Sequence, residues 1–335
     1  MAIVGLTHPT ISDVAKRTDP DGKIAKLVEL LKQTNEILED ATFVEGNLPT
    51  GHRTTMRTGL PDVTWRLLNR GVQPGKSATA QVDDACGMLE AYGEVDASLA
   101  ALNGNTAEWR MSEDSAFIEA MNQEMARTLF YGNVKEEPQK FMGLAPRYNG
   151  LSGFAAAENI LDYGGSGSQN TSVWLVGWGD ATLHCIFPKG SQAGLRADDK
   201  GEQTLFDEDG GRYQGYRTHY KWDVGLSQRD WRYCGRIANI NTAAFGDIIS
   251  GGATQENSRL IRFMIALMNK IPNTGKARLA WYLNRSVKTV LDIMAMEKAN
   301  VNLTIDMFEG KPITRFLGVP LRQVDVLLNT EAALA

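Results

Sequence analysis

The residues best suited to chemistry are few and widely scattered in this chain of 335 residues. The four histidines show no HxH or HxxxH spacing, and the three cysteines form no CxxC pair. These spacings predict neither a zinc site nor a disulfide framework. His184 and Cys185 are adjacent in a predicted strand, where neighbouring side chains point to opposite faces, so we do not expect an activated thiol.

Three glycine-rich stretches match known loops only in part. Gly71–Ser77 has three residues between its glycines where a phosphate-binding loop has four, and no helix-forming segment follows. Gly164–Gly167 lacks the third glycine of a dinucleotide fingerprint. Asp207–Gly211 lacks the glutamate that closes a calcium loop. The sequence therefore predicts no catalytic, cofactor-binding or metal-binding residue.

Composition narrows the class of protein. Hydrophobic residues make up 43% and charged residues 22% of the chain, which is ordinary for a globular protein and excludes general disorder. The 35 basic and 40 acidic residues give a net charge of −5, which disfavours a DNA-coating protein. No apolar run reaches the ~18 residues of a membrane span, and the start of the chain lacks the pattern of a signal peptide. We expect a soluble, cytosolic protein of two or three folding units.

The first 45 residues predict a helical arm. Ile24, Leu27 and Leu31 fall on one narrow apolar stripe at helical spacing. A lone amphipathic helix must bury such a stripe. Its partner is either the rest of its own domain or a neighbouring subunit, and the sequence leaves both open.

Residues 46–83 change character and predict an extended hairpin or a long loop. Short β-favouring runs at Arg53–Thr58, Val63–Leu68 and Ala78–Val82 alternate with glycine and proline. Large apolar side chains are few here, and arginines are spread through the stretch. Such a segment cannot hold its shape by packing on itself. It is either flexible or held by another molecule.

The rest of the chain predicts an α+β fold. Residues 85–104 favour a helix in part, and a long helix follows over Ser112–Tyr131, with Ser112 as its N-cap and Gly132 beyond its end. Further elements are predicted as the strands Thr171–Trp178, Thr182–Phe187, Tyr216–Trp222, Trp231–Ile240 and Leu321–Leu327 and the helices Asn257–Lys270 and Val287–Lys298.

Several segments, taken in order, resemble the major capsid proteins of short-tailed phages of the epsilon15 type. The segments are Val176–Gly179, His184–Gly190, Ala193–Leu195, Tyr216–Tyr220 with Trp222, Gly225-Leu226, Arg236–Ile240, and Gly318–Arg322 with Asp325 and Asn329–Glu331. The order of elements is similar along nearly the whole chain.

The resemblance implies the capsid fold named for the phage Hong Kong 97 (HK97). Ser112–Tyr131 would be its spine helix. The implied division is an N-terminal arm (1–45), an extended loop built as a β-hairpin (46–82), a discontinuous peripheral domain (83–140 and 286–335) and an axial domain (141–285).

The resemblance also implies a function: self-assembly into an icosahedral shell around double-stranded DNA. Implied partners are copies of the chain in pentamers and hexamers, a scaffolding protein, a portal protein, a cementing protein and DNA held without sequence preference, with no membrane and no cofactor. The chain would reside in the virion after assembly in the host bacterial cytoplasm. Subunit contacts are expected at Ile24, Leu27, Leu31, Arg53, Arg57, Trp65, Arg66, Leu67 and Leu68.

Two other functions fit the composition. One is a soluble α+β enzyme that uses Gly164–Gln169 as a mobile lid and carboxylates as acid and base. The other is a secreted or surface oligomeric binding module, which the missing signal-peptide pattern disfavours. Particle size separates these alternatives from a capsid protein, since a capsid protein forms capsomers or closed shells.

Overall fold

The computed structural model of the protein describes residues 9, 32–102, 106–207, 209–242, 254–296, 303–308 and 311–335. Most of the predicted arm, including Ile24, Leu27 and Leu31, lies outside the described residues. The described end of the arm packs against the main body, where Ile37 is fully buried in the core.

Six α-helices and thirteen strands occur in the described ranges. The helices are α1 (Ile37–Asp40), α2 (Ala97–Ala100), α3 (Thr106–Tyr131), α4 (Leu144–Arg147), α5 (Thr254–Met268) and α6 (Arg285–Met296). The strands are β1 (Phe43–Glu45), β2 (Gly51–Gly59), β3 (Ala78–Asp96), β4 (Ile160–Asp162), β5 (Asn170–Trp178), β6 (Leu183–Phe187), β7 (Arg196–Phe206), β8 (Arg212–Gln228), β9 (Cys234–Asn241), β10 (Arg278–Leu283), β11 (Leu303–Phe308), β12 (Lys311–Phe316) and β13 (Val319–Gln323).

These strands form one mixed sheet. Its main path runs β11-β12-β13-β10-β5-β6-β8-β3-β2, so the β2–β3 hairpin lies at one edge. Strand β7 pairs with β8, and β9 pairs with β4 and β5, beside this path. The sheet thereby connects the edge hairpin to the centre of the molecule through β3 and β8.

The central strands are buried on both faces. Along β5, Trp174 and Val176 enter a core beneath α3, whereas Val173 and Leu175 enter a second core beneath α5 and α6. Successive side chains on a strand point to opposite faces, so this continuous apolar run fills two cores. The predicted strand Thr171–Trp178 lies within β5.

The spine helix is longer than its sequence pattern predicts. Met121, Met125 and Leu129 lie on its buried face, as their spacing requires. The helix begins at Thr106, so Ser112 is an interior residue and its prediction as the N-cap is wrong. Trp109 explains the extra turns, because it packs in a small separate core on the strand and helix just before α3.

The partly helical prediction for residues 85–104 is also wrong for most of its length. Strand β3 continues to Asp96, and the short α2 (Ala97–Ala100) is the one helix among the described residues of this segment. Residues Cys86–Asp96 pair antiparallel with Gly215–Gly225 of β8. This long ladder supplies tertiary hydrogen bonds that override the local preference.

The packing of α6 and β8 can be compared with the predicted boundaries of the peripheral and axial domains. Val290 and Met294 of α6 enter the second core with Met264 of α5, whereas Tyr220 of β8 enters the first core with α3. By packing, α6 and the buried residues Leu303, Phe316 and Leu321 therefore lie with the predicted axial segment, and part of β8 lies with the spine helix. The domain boundaries themselves stay a prediction.

The end of the chain is fixed by a buried ion pair. Glu331 accepts hydrogen bonds from Arg236 at 2.9 Å and from the Tyr131 hydroxyl at 2.5 Å, and also from Ser172. Arg236 and Glu331 are both more than nine-tenths buried. Burial and the neighbouring carboxylate raise the pKa of Tyr131, which keeps its hydroxyl a donor. The network joins the spine helix, two central strands and the C-terminal tail.

Truncating Glu331 tests this network. Glu331→Ala leaves the Arg236 guanidinium buried without its partner, so we expect the free energy of unfolding to fall by about 3–5 kcal/mol. The control is Arg285→Ala, because exposed Arg285 pairs with Asp325 at 2.7 Å, and such surface pairs contribute at most about 1 kcal/mol. Urea unfolding followed by tryptophan fluorescence measures both. Equal losses in the two variants contradict the assignment.

Candidate subunit interface

The predicted hairpin is present as β2 and β3, which pair antiparallel from Gly51↔Ala85 to Gly59↔Ala78. Arg53 lies opposite Asp83 in this register and donates two hydrogen bonds of 2.7 Å to its carboxylate. The hydrogen bonds from Arg53 lower the pKa of Asp83. Arg53, predicted as an intersubunit contact, therefore has a partner on its own hairpin.

The tip of the hairpin, residues 60–77, contains no strand. The predicted β run Val63–Leu68 is therefore wrong. A turn closes at the Leu67 carbonyl, which accepts from the Arg70 amide at 3.2 Å, and Asn69 between them adopts φ +62°. Asparagine tolerates this left-handed conformation better than most residues.

The tip exposes its large apolar side chains to solvent. Trp65 is fully exposed. The exposed fractions of Leu60, Val63, Leu67 and Leu68 lie between 73% and 89%. Scattered exposed leucines are ordinary, but contiguous apolar groups on one projection mark a surface that binds a partner. The predicted contacts Trp65, Leu67 and Leu68 thus fall on one exposed patch, which we call the tip patch (residues 60–68).

Cations accompany the tip patch. Arg57, Arg66, Arg70 and Lys76 have no ion-pair partner among the described residues, and Asp62 is the single acidic residue between Gly59 and Ala78. The tip therefore presents a positive, apolar surface. Arginine and tryptophan are the side chains most enriched at the energetic centres of protein interfaces.

The base of the hairpin is tied to the body by a cluster of polar side chains that the sequence does not predict. His52 on β2 contacts Arg229 with 2.9 Å between the nitrogen atoms Nε2 and Nη2, and its Nδ1 accepts from the Asn47 amide at 3.3 Å. The ring of His184 on β6 lies edge-on to that of His52, with centroids 5.8 Å apart. Both ring nitrogens of His52 face hydrogen-bond donors. If the ring takes up a second proton, the added N–H therefore has no acceptor there.

A second anchor lies directly beside this cluster. Arg147 donates to Asp84 at 2.8 Å and to the Leu226 carbonyl at 2.9 Å. A Cβ on Gly51 would lie 2.1 Å from the Asp84 carbonyl oxygen, so only glycine allows the two strands to approach this closely. The hairpin therefore projects from a tightly built base.

The other residues that the sequence analysis considered for chemistry do not form a common site among the described residues. Burial raises the pKa of Cys185 to about 12, and Cys185 packs in the first core while the adjacent His184 joins the hairpin base. Within the described ranges, no three His, Cys, Asp or Glu residues are grouped to hold a metal ion. No helix in the described ranges is long and apolar enough to cross a bilayer. The loop Gly164–Gln169 is tied to the C-terminal tail, since the Gly167 carbonyl accepts from the Ala333 amide at 3.0 Å.

A spine helix beneath a broad sheet, with a long hairpin projecting from the sheet edge, defines a shell-forming subunit of the HK97-like class. The chain belongs to the family of major capsid protein GP7, whose model matches residues 19–335. It is a capsid protein of a phage virion, and its function is to form the shell.

The chain is also similar to solved capsid structures. It is 39% identical to the chain from bacteriophage epsilon15, with a TM-score of 0.77 over 100% of this chain and 99% of that one. The capsid of bacteriophage JBD30 is 8% identical, with a TM-score of 0.47 over 90% and 95% of the two chains. The capsid of a native GTA particle is 9% identical, with a TM-score of 0.48 over 70% and 100%. No curated protein matches the chain. The resemblance drawn from the sequence is confirmed, and the alternative of an enzyme finds no support.

The hairpin base predicts a loss of stability in acid. Burial and the nearby Arg229 charge lower the pKa of His52 and bring that of His184 to about 4, below the ~6.5 of an unfolded histidine. The unfolded chain thus binds protons first as pH falls. Stability from these groups is complete above pH ~6.5 and declines toward pH ~4, and the lowered pKa of His184 alone corresponds to a loss of roughly 3 kcal/mol.

Urea midpoints between pH 7 and pH 4 measure this loss. His52→Gln combined with His184→Gln should flatten the decline, because neither residue then titrates. The control is His219→Gln, which leaves the cluster intact; His219 lies apart from it, against Glu90 at 3.2 Å. Other charged groups also surround the cluster, namely Asp84, Arg147, Arg229 and Asp180. The test is therefore the difference between the pH dependence of the double variant and that of the His219→Gln control. Equal slopes in both variants overturn the prediction.

Proposed function

We propose that the chain assembles into an icosahedral shell of pentamers and hexamers around double-stranded DNA, and that the hairpin tip is a principal contact between subunits. The observation that carries this proposal is the tip patch, whose fully exposed Trp65 stands among four apolar neighbours. A protein that remained a monomer would gain nothing by exposing this surface to water.

The proposed contacts on the tip are Trp65, Leu67 and Leu68 for apolar burial, with Arg57 and Arg66 facing acidic groups of a neighbour. Apolar anchors carry most of the affinity, because exposed ion pairs contribute only about 0–1 kcal/mol each. Arg53 remains a proposed contact as well, and it also pairs with Asp83 on its own hairpin. The arm residues Ile24, Leu27 and Leu31 remain proposed contacts with an adjacent subunit.

The proposed role of each segment in the shell follows from the fold. The arm (1–45) and extended loop (46–82) contact neighbours, the peripheral domain with its spine helix spans between contacts, and the axial domain surrounds the symmetry axes. The packing of α6 with α5 supports moving the peripheral boundary at 286 toward the C-terminus.

Further partners follow from the same proposal. A scaffolding protein, a portal protein and a cementing protein would act on the assembled subunits, and assembly would take place in the host bacterial cytoplasm. The net charge of −5 suits a shell whose wall must release packaged DNA, because a basic lining binds phosphates tightly. We propose a structural role and no enzymatic activity.

Particle size tests the assembly proposal. The full chain, expressed alone and with its scaffolding protein, should sediment as capsomers or closed particles and appear as shells by electron microscopy. A protein that sediments as a monomer or a small oligomer in both cases contradicts it.

Trp65→Ala tests the tip as a contact. Trp65 is fully exposed in the single chain, so its loss should leave the unfolding free energy of the free subunit unchanged. Shells should dissociate at lower denaturant, because an interface anchor typically contributes about 2 kcal/mol or more. The control is Leu328→Ala, an exposed apolar residue outside the hairpin. Shells of Trp65→Ala that are as stable as the control exclude the tip as a principal contact.

A further inference from the structure

The base of the hairpin contains a half-buried cation that has no carboxylate beside it. Arg229 follows strand β8, and the contact of its Nη2 with Nε2 of His52, at 2.9 Å, is its one side-chain hydrogen bond among the described residues. In the ranges that the structure describes, no carboxylate oxygen lies within 4.0 Å of its nitrogens. Its Nε atom is shielded from solvent and has no hydrogen-bond partner there. A guanidinium is always charged in a protein, so this charge is uncompensated within the described residues.

Two fully buried polar side chains lie on the same face of the sheet as Arg229. Ser227 of β8 is directly opposite His184 of β6 in the antiparallel register, so the two side chains are neighbours on one face. Arg229 comes two positions after Ser227, and its amide extends the same ladder by donating to the Thr182 carbonyl at 2.8 Å. Residues two apart along a strand share a face. The ring of His52 lies beside this group, with its centroid 5.8 Å from that of His184.

These side chains have hydrogen-bond donors that no described residue uses. Ser227 and His184 are both completely buried, and the Ser227 hydroxyl makes no hydrogen bond in the described part of the chain. The Gly179 carbonyl is close to His184, but neither ring nitrogen makes a hydrogen bond of normal geometry there. The hydroxyl, the one N–H of a neutral histidine and the Arg229 Nε–H give three donors. Buried polar groups nearly always have a partner, which can be an ordered water or a bound ion.

The charges around these donors favour an anion over water. Asp84 is already paired with Arg147 at 2.8 Å, so this pair has no net charge. The charge of Asp180 also acts on His184, but Asp180 is exposed and solvent screens its field. The lowered pKa values of the two histidines leave both rings neutral at pH 7, so the unpaired charge is that of Arg229. Water would complete the hydrogen bonds, whereas an anion would also neutralise this charge.

The spacing and the charge of the group select a small monovalent anion. Opposed residues of an antiparallel pair have their Cβ atoms about 4.5–5.5 Å apart, so Ser227 and His184 leave room for one monatomic ion rather than for a tetrahedral oxyanion. A single negative charge also matches the single unpaired charge of Arg229. A halide needs only hydrogen-bond donors, which is what these side chains offer.

We propose that the hairpin base binds one chloride ion, or another halide of similar size, between Arg229, Ser227 and His184. The ion accepts hydrogen bonds from the Arg229 Nε–H, the Ser227 hydroxyl and the N–H of neutral His184. Arg229 also contacts His52 of β2, so the ion fixes the guanidinium that joins the hairpin to the body. Chloride binding therefore stabilises the attachment of the hairpin, whether or not the hairpin tip contacts a neighbour.

The ³⁵Cl nuclear magnetic resonance linewidth of sodium chloride, measured with the full-length chain, tests this site. Chloride that exchanges with a protein site has an excess linewidth, which saturates with chloride and which bromide displaces. Arg229→Gln should raise the dissociation constant of chloride at least about tenfold, because it removes both the charge and the Nε donor. Ser227→Ala removes one hydrogen bond and should raise it several-fold.

The control is Arg285→Gln, because Arg285 is an exposed arginine away from the hairpin base. This variant should keep the chloride affinity of the unmodified chain. An unmodified chain without a saturable excess linewidth overturns the site, and so does equal affinity in the unmodified chain and in Arg229→Gln.

Urea unfolding at pH 7 provides an independent readout, in sodium chloride and in sodium gluconate of equal ionic strength. The urea midpoint of the unmodified chain should be higher in chloride, because a ligand that binds only the folded state stabilises it. The difference between the two salts should vanish in Arg229→Gln, shrink in Ser227→Ala and persist in Arg285→Gln. A difference that is equal in the unmodified chain and in Arg229→Gln is a general salt effect and overturns the site. No difference in the unmodified chain indicates water in place of the ion and overturns it as well.

Discussion

One constraint governs the structure: the hairpin projects beyond the hydrophobic cores, and no core among the described residues packs against its tip. A two-stranded ribbon is marginally stable alone in water, and none of the described residues covers its apolar tip. Strand β3 stabilises the base of the ribbon, because its 19 residues run from the tip into the sheet. The other requirement is burial of the tip patch, and we propose that a second copy of this capsid-family chain provides it.

The rest of the fold fixes the direction in which the hairpin projects. Two cores on opposite faces of the sheet and the buried Arg236–Glu331 pair make the body stiff. His52, Asp84 and their arginine partners join the ribbon to that body. A rigid body with a defined projection positions each subunit relative to the next, so that many weak contacts act together in a closed shell.

Part of this architecture could be predicted from the sequence. Helices α5 and α6 follow from apolar residues at helical spacing, and the hairpin follows from a stretch too poor in apolar residues to form a core. The tip patch could be predicted for the same reason, because a tryptophan in a segment without a core can be buried only by another part of the chain or by a partner.

The remaining features could not be predicted from local patterns. Strand β7 is mostly exposed and polar and shows no alternation of apolar residues. The hairpin base depends on pairings across more than 100 positions, such as His52 with Arg229, and no local spacing indicates them.

Hydrogen–deuterium exchange at residues 60–77 tests the central claim most directly. The tip amides lie outside any strand, so they should exchange within seconds in free subunits. In assembled shells the same amides should slow by at least tenfold, while amides of the buried strand β5 stay protected in both states. Equal exchange of the tip before and after assembly contradicts the account, because the hairpin would then have no partner in the shell.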